Sequence, residues 1–106
     1  MIAFTPSAPY YAVIFTSIKT DEDSGYSEMA HYMEKLVINQ PGYLGHESAR
    51  SELGITVSYW ESLEAIEGWK NQLAHRIAQE KGKEQWYASY RIRVCLVERE
   101  YGFPNT

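Results

Sequence analysis

Cysteine is almost missing from this 106-residue chain, since Cys95 stands alone. A single thiol makes no intramolecular disulfide and gives no Cys-based metal site. The cysteine, at strand spacing, reads as packing, and the setting expected is the cytoplasm. Long apolar runs are also absent. Nothing approaches the roughly 20 residues of a membrane-spanning helix, and MIAFTPSAPYY lacks the basic start and apolar block of a secretion signal. Histidine occurs at positions 31, 46 and 75 only. No H-x-x-x-H pair or carboxylate spacing joins them, so no metal site is expected. The chain has no G-x-S-x-G, P-loop or G-x-G-x-x-G, which removes the commonest nucleophile and nucleotide signatures. Positive charge is in deficit too. With 10 Lys and Arg against 14 acids, net charge −4, and the signs interspersed, neither a nucleic acid nor an anionic membrane is an expected partner.

Aromatic residues are plentiful: 14% of the chain, including nine Tyr and three Trp. Their apolar bodies and polar tips suit pockets and interfaces as well as cores. With 44% hydrophobic residues and no repeat or linker, the chain reads as one domain over 10–106, after an irregular lead-in over 1–9 that carries Pro6 and Pro9.

Tyr10 to Ile18 is rich in β-branched and aromatic residues and predicts a strand. Thr20 to Ser24 offers capping side chains and acids. Apolar residues at 26, 29, 30, 33, 36 and 37 then follow helical spacing, with His31 on the solvated side, until Pro41-Gly42 turns the chain. Residues 43–50 and 54–60 predict a hairpin. Ser62 is a candidate N-cap for a second helix running to about Glu80, with an interruption at Gly82. A last strand is expected from Ser89 to about Tyr101. The order β-α-β-β-α-β is the split, ferredoxin-like α+β arrangement, an antiparallel four-stranded sheet with both helices on one face.

Such a sheet leaves a second face bare, yet the strands are apolar on both sides. Tyr11, Val13 and Phe15 oppose Tyr10, Ala12, Ile14 and Ile18, while Ile92, Val94 and Leu96 oppose Cys95 and Val97, whose side also carries Arg91, Arg93 and Arg99. Too much apolar surface would meet water, so a homodimer joined through the open sheet face is expected.

If residues 62–79 form one unbroken helix, Ile66, Leu73 and Ile77 face the sheet and Trp69 borders that stripe, with Arg76 further round. His75 then points away, and only a new helix start near Asn71-Gln72 would bring it inward. Trp86, Tyr87 and Tyr90, followed by Arg91 and Arg93, make a second aromatic cluster. With Trp69 these rings would either wall a cavity for a flat aromatic ligand or simply fill the helix–sheet seam. His46 and Glu47, adjacent on a strand, point to opposite faces and are no preformed acid–base pair.

The stretch Tyr59-Trp60-Glu61-Ser62-Leu63-Glu64-Ala65-Ile66-Glu67-Gly68-Trp69-Lys70, then Ala74 to Gln79, Trp86-Tyr87, Tyr90 to Val94, Val97 to Tyr101 and Pro41-Gly42-Tyr43, resembles the antibiotic biosynthesis monooxygenase domain family. The resemblance runs from Tyr10 to Tyr101 and implies a dimeric α+β barrel of two ferredoxin-like subunits. It further implies oxidation of an aromatic, polyphenolic small molecule by oxygen with no metal or flavin. Trp69 is similar to a pocket Trp of quinone-forming members, although Ala65 stands where those have Asn four positions earlier. On this likeness Trp69, Trp86 and Tyr90 are the expected wall, Arg76 or Arg93 the anion stabiliser, and His75 the base if it faces inward. The alternative reading is a non-enzymatic small-ligand or haem-binding dimer with His75 or His46 as axial ligand. Haem-degrading relatives carry their His at the positions held here by Ala78 and Gln79, and their Asn on the first strand, where residues 10–18 have none.

Overall fold

A computed structural model describes residues 1–72, 80 and 85–104 of the chain. The elements run β1 (Tyr10–Lys19), α1 (Tyr26–Val37), β2 (Tyr43–Arg50), β3 (Gly54–Trp60), α2 (Leu63–Lys70) and β4 (Tyr87–Val97). All strand pairs are antiparallel and the sheet order is β2-β3-β1-β4. This is the α+β, ferredoxin-like arrangement expected from the pattern. β1, the most apolar strand, takes a central position with neighbours on both edges, where its backbone groups all find ladder partners.

Register fixes the two faces. Tyr11, Val13, Phe15 and Ser17 share one side with Trp60, Ser58, Thr56 and Gly54, with Leu96, Val94, Ile92 and Tyr90, and with His46 and Arg50. The helices lie on this side: Trp69 of α2 stacks on Trp60, Tyr26 of α1 meets Tyr87, and Glu34 of α1 reaches His46. Tyr10, Ala12, Ile14, Tyr59, Glu47, Arg91 and Arg93 lie on the helix-free side.

That second side is partly covered by residues 1–9, which carry no regular secondary structure. The Ala3 amide donates to Glu47 Oε2 at 3.0 Å, and the Thr5 hydroxyl donates to the Tyr10 hydroxyl oxygen at 2.9 Å. Beneath this strap Tyr10 and Ala12 are buried, with 5% exposure each. Ile18 and Ile55 stay exposed, and so do Ile92, Val94 and Leu96 of the edge strand on the helix side.

Three boundaries differ from the sequence reading. The cap of α1 is Gly25, in the left-handed region at φ 78 with no side-chain bond, because Ser24 and its neighbours form the preceding turn instead. β4 begins earlier and stops at Val97, since its ladder with β1 ends at Tyr10. The larger correction concerns α2. Ser62 caps its start as expected, accepting from the Ala65 amide at 3.0 Å, but the helix ends at Lys70 rather than running on to Glu80. Asn71 closes it, and the Gln72 amide turns back to the Trp69 carbonyl at 3.1 Å. Gly68 and Asn71 are poor helix formers, and together they outweigh the apolar stripe that suggests continuity.

Candidate functional site

Trp69 sits at the end of the sheet where β1 starts. Its ring stacks on Trp60 at 6.3 Å and 26°, and Trp60 is wholly buried, edge-on to Tyr43 at 5.8 Å. The Trp60 Nε1–H donates to the Ser58 hydroxyl at 2.9 Å, satisfying its one polar atom. Trp69 therefore roofs the core indole with one face. It also borders an open groove of about 440 Å³ between α2 and the Pro41-Gly42 turn, whose lining includes Glu61 and Glu64.

The second aromatic cluster lies at the opposite end. Phe15 stacks on Tyr90 at 5.4 Å and tilts against Tyr87 at 5.3 Å; Tyr26 meets Tyr87 at 6.0 Å and Trp86 at 5.7 Å, both edge-on. Trp86 is buried, and its Nε1–H donates to the Ser24 carbonyl at 3.0 Å, so this ring pins the entry to α1. Burial pushes the Tyr87 phenol well above the ordinary tyrosine range. The Tyr26 hydroxyl, 3.4 Å away, adds to this and the Arg50 charge opposes it. Tyr87 is thus a neutral phenol facing an aromatic bed.

Trp60 pairs with Tyr11 while Tyr87 pairs with Lys19. Eight residues of strand separate those levels, roughly 26 Å at 3.3 Å per residue. Of the residues singled out from sequence, Trp86 and Tyr90 thus share one cluster and Trp69 belongs to the far end. Arg93 points to the helix-free side, where with Arg91, Thr16 and Ile18 it borders a groove of about 270 Å³ that Tyr90 also touches. His75 and Arg76 lie outside the described residues. His46 has both ring nitrogens engaged, Nδ1 with the Tyr43 hydroxyl at 2.5 Å and Nε2 with Glu34 Oε1 at 3.2 Å. That leaves it no free nitrogen to offer an iron without breaking a bond. Among the described residues no group of three or more His, Cys, Asp or Glu is placed to hold a metal ion. Nor is any helix among them long and apolar enough to cross a membrane.

The strap on the helix-free side holds a titratable pair. The Tyr59 hydroxyl donates to Glu47 Oε1 at 2.6 Å, and this bond, together with that from the Ala3 amide, holds the Glu47 carboxyl below its ordinary range. Tyr59 is pushed up to about 12, first by burial and then by the bond to Glu47. The Glu47 contribution to stability is therefore present above its unfolded value near 4.5 and fades as pH falls through the lower folded value. For Tyr59 the contribution is present below 10.0 and fades as pH rises toward about 12. The stability gap between wild type and Glu47→Gln should be widest near neutral pH and shrink in acid, as urea unfolding across a pH series would show. A gap that stays constant down to about pH 3 would disprove the linkage.

Comparison with known proteins places this geometry. The family model described as antibiotic biosynthesis monooxygenase matches residues 9–81. The uncharacterised protein YqjZ of Bacillus subtilis is 51% identical over 103 residues, covering 95% of this chain and 90% of that protein. Among solved structures, Rv0793 from Mycobacterium tuberculosis superposes with a TM-score of 0.77 at 14% identity, over 90% of this chain and 100% of the other. SnoaB from Streptomyces nogalater, a cofactor-independent oxygenase, superposes with a TM-score of 0.70 at 11% identity, over 92% and 100%. Sequence and fold agree, and the chain belongs to the antibiotic biosynthesis monooxygenase family.

Proposed function

We propose that this protein is a cofactor-independent monooxygenase acting on a flat hydroxylated aromatic molecule, as a homodimer joined through the helix-free face of the sheet. The observation that carries the reading is the aromatic bed of Phe15, Tyr26, Tyr87 and Tyr90 on the helix side, with the buried Trp86 edge-on to Tyr26. Family membership and the likeness of fold to a cofactor-independent oxygenase support it. The exposed Ile18 and Ile55 on the helix-free side support the dimer.

The chemistry asks little of the protein beyond placement. A deprotonated hydroxyarene can itself reduce oxygen. The ring CH₂ of an anthrone then takes up O₂, becomes C=O, and releases the second oxygen as water. The bed holds the substrate flat and dry, so that charge on the phenolate is met by fixed dipoles rather than bulk solvent. In this reading Tyr90 and Trp86 belong to the substrate wall. Trp69 lines the separate groove at the other end of the sheet, His75 serves as the base if it faces inward, and Arg76 accompanies the anion, since Arg93 lies on the opposite side of the sheet.

Purified protein is expected to consume one O₂ per substrate oxidised with members of a panel of hydroxylated anthrones and quinols in an oxygen electrode. Tyr90→Ala should slow this by on the order of tenfold or more through loss of orientation. No uptake above the uncatalysed rate with any member would sink the oxygenase reading.

A further inference from the structure

Arg50 closes β2, and its side chain crosses the sheet on the helix side. Its Nη2–H donates to the Ser17 hydroxyl of β1, two strands away, passing over Gly54 of β3. Gly54 is buried, and a Cβ there would collide with the guanidinium itself. The missing side chain is the channel through which Arg50 reaches. Ser17 is buried, so the guanidinium spans from an exposed rim to a buried floor.

The electrostatics are unusual for so committed an arginine. A guanidinium carries five N–H donors. No carboxylate lies within ion-pair distance of Arg50 among the described residues, where the ion pairs are Lys19–Asp23 and His46–Glu34. The nearby cation, Lys19, is occupied twice, with Asp23 and over the Tyr26 ring at 4.3 Å. Arg50 is close enough to Tyr87 for its charge to act on that phenol. The other strand arginines, Arg91 and Arg93, point to the opposite side.

We infer that Arg50, seated on Ser17 across Gly54, binds the anionic oxygen of a deprotonated hydroxyarene lying on the Phe15–Tyr87–Tyr90 bed. This rests on the oxygenase reading of that bed and adds an anion-binding residue at its rim. Spare N–H donors point the planar guanidinium toward an oxyanion, and the aromatic bed selects one attached to a flat ring.

The test uses 1,8-dihydroxyanthraquinone, a coloured phenol already at the quinone level and thus inert to the oxygenation. Bound to the wild-type protein, its visible ionisation should fall at a pH about one unit below that of the free dye, as a nearby opposite charge dictates. Arg50→Met should return the midpoint to the free value or above and weaken binding of the anionic dye about tenfold. Arg50→Lys should restore part of the lowering, because the charge returns without the fork. Neither variant alters the bed. An Arg50→Met protein that binds the dye with the wild-type midpoint overturns the Arg50 assignment alone. A wild-type protein that does not bind the dye overturns the bed as a ligand site, and Arg50 with it.

Discussion

Trp60→Ala is expected to remove about 3–5 kcal/mol of stability, the range for a large aromatic deleted from a packed core. The residue has no exposed surface, its indole N–H is satisfied by Ser58, and two further rings rest on it. Truncation would leave Tyr43 and Trp69 facing a void that neither can fill. Both are held from outside, Tyr43 by its bond to His46 and Trp69 by the short helix that carries it. For a domain of this size, total stability is about 5–15 kcal/mol, so the variant should lose between about a fifth and all of it. Equilibrium urea unfolding monitored by circular dichroism checks this, with Trp69→Ala as the milder companion. A loss below about 1 kcal/mol would show that Trp60 is not the keystone of that end.

Two glycines should respond to the same substitution with opposite signs. Gly42 has φ 80, and a Cβ there would run into Ala65 Cβ and approach Glu61 Cγ to 3.2 Å. The left-handed backbone costs an alanine about 1–2 kcal/mol, and forced overpacking about 1–3 kcal/mol more. The Glu61 amide also donates to the Gly42 carbonyl at 2.9 Å, so the turn cannot swing away without losing that bond. Gly68, by contrast, lies inside α2 with open space around its Cα. Gly68→Ala should stabilise by about 0.5–1 kcal/mol, mainly through a less disordered unfolded chain. Thermal unfolding of the two variants should bracket wild type, Gly42→Ala below and Gly68→Ala above. If both fall on the same side, the close approach of the turn to α2 is not as described.

Much of the architecture is legible in the sequence because it rests on simple periods. The alternation in Tyr10 to Ile18 and in Ile55 to Tyr59, and the spacing from Tyr26 to Val37, are direct consequences of strand and helix geometry. The end of α2 is not legible, because the apolar stripe through Ile66, Leu73 and Ile77 argues for continuity, and two weak helix formers argue quietly against it. Nor does sequence show that Trp69 and Trp86 sit at opposite ends, since that depends on cross-strand register, which pairs Trp60 with Tyr11 and Tyr87 with Lys19. Arg50 escapes a linear reading for a related reason. It ends one predicted strand and Gly54 opens the next, and nothing in the linear pattern singles out either. Their meaning emerges only once they face each other across two strands. The available hint is an arginine and a glycine flanking the tight Ser51-Glu52-Leu53 connection. The lead-in reads as irregular, and its bonds to Glu47 and Tyr10 depend on side chains 44 and 5 positions away.

The stop at Asn71 also bears on how such a protein can change. The orientation of Trp69 is set by eight helical residues counted from Ser62 and by the indole beneath it. A residue gained or lost at Asn71-Gln72 therefore leaves that ring where it is. A change of sequence after this joint can thus leave the stacked indoles in place.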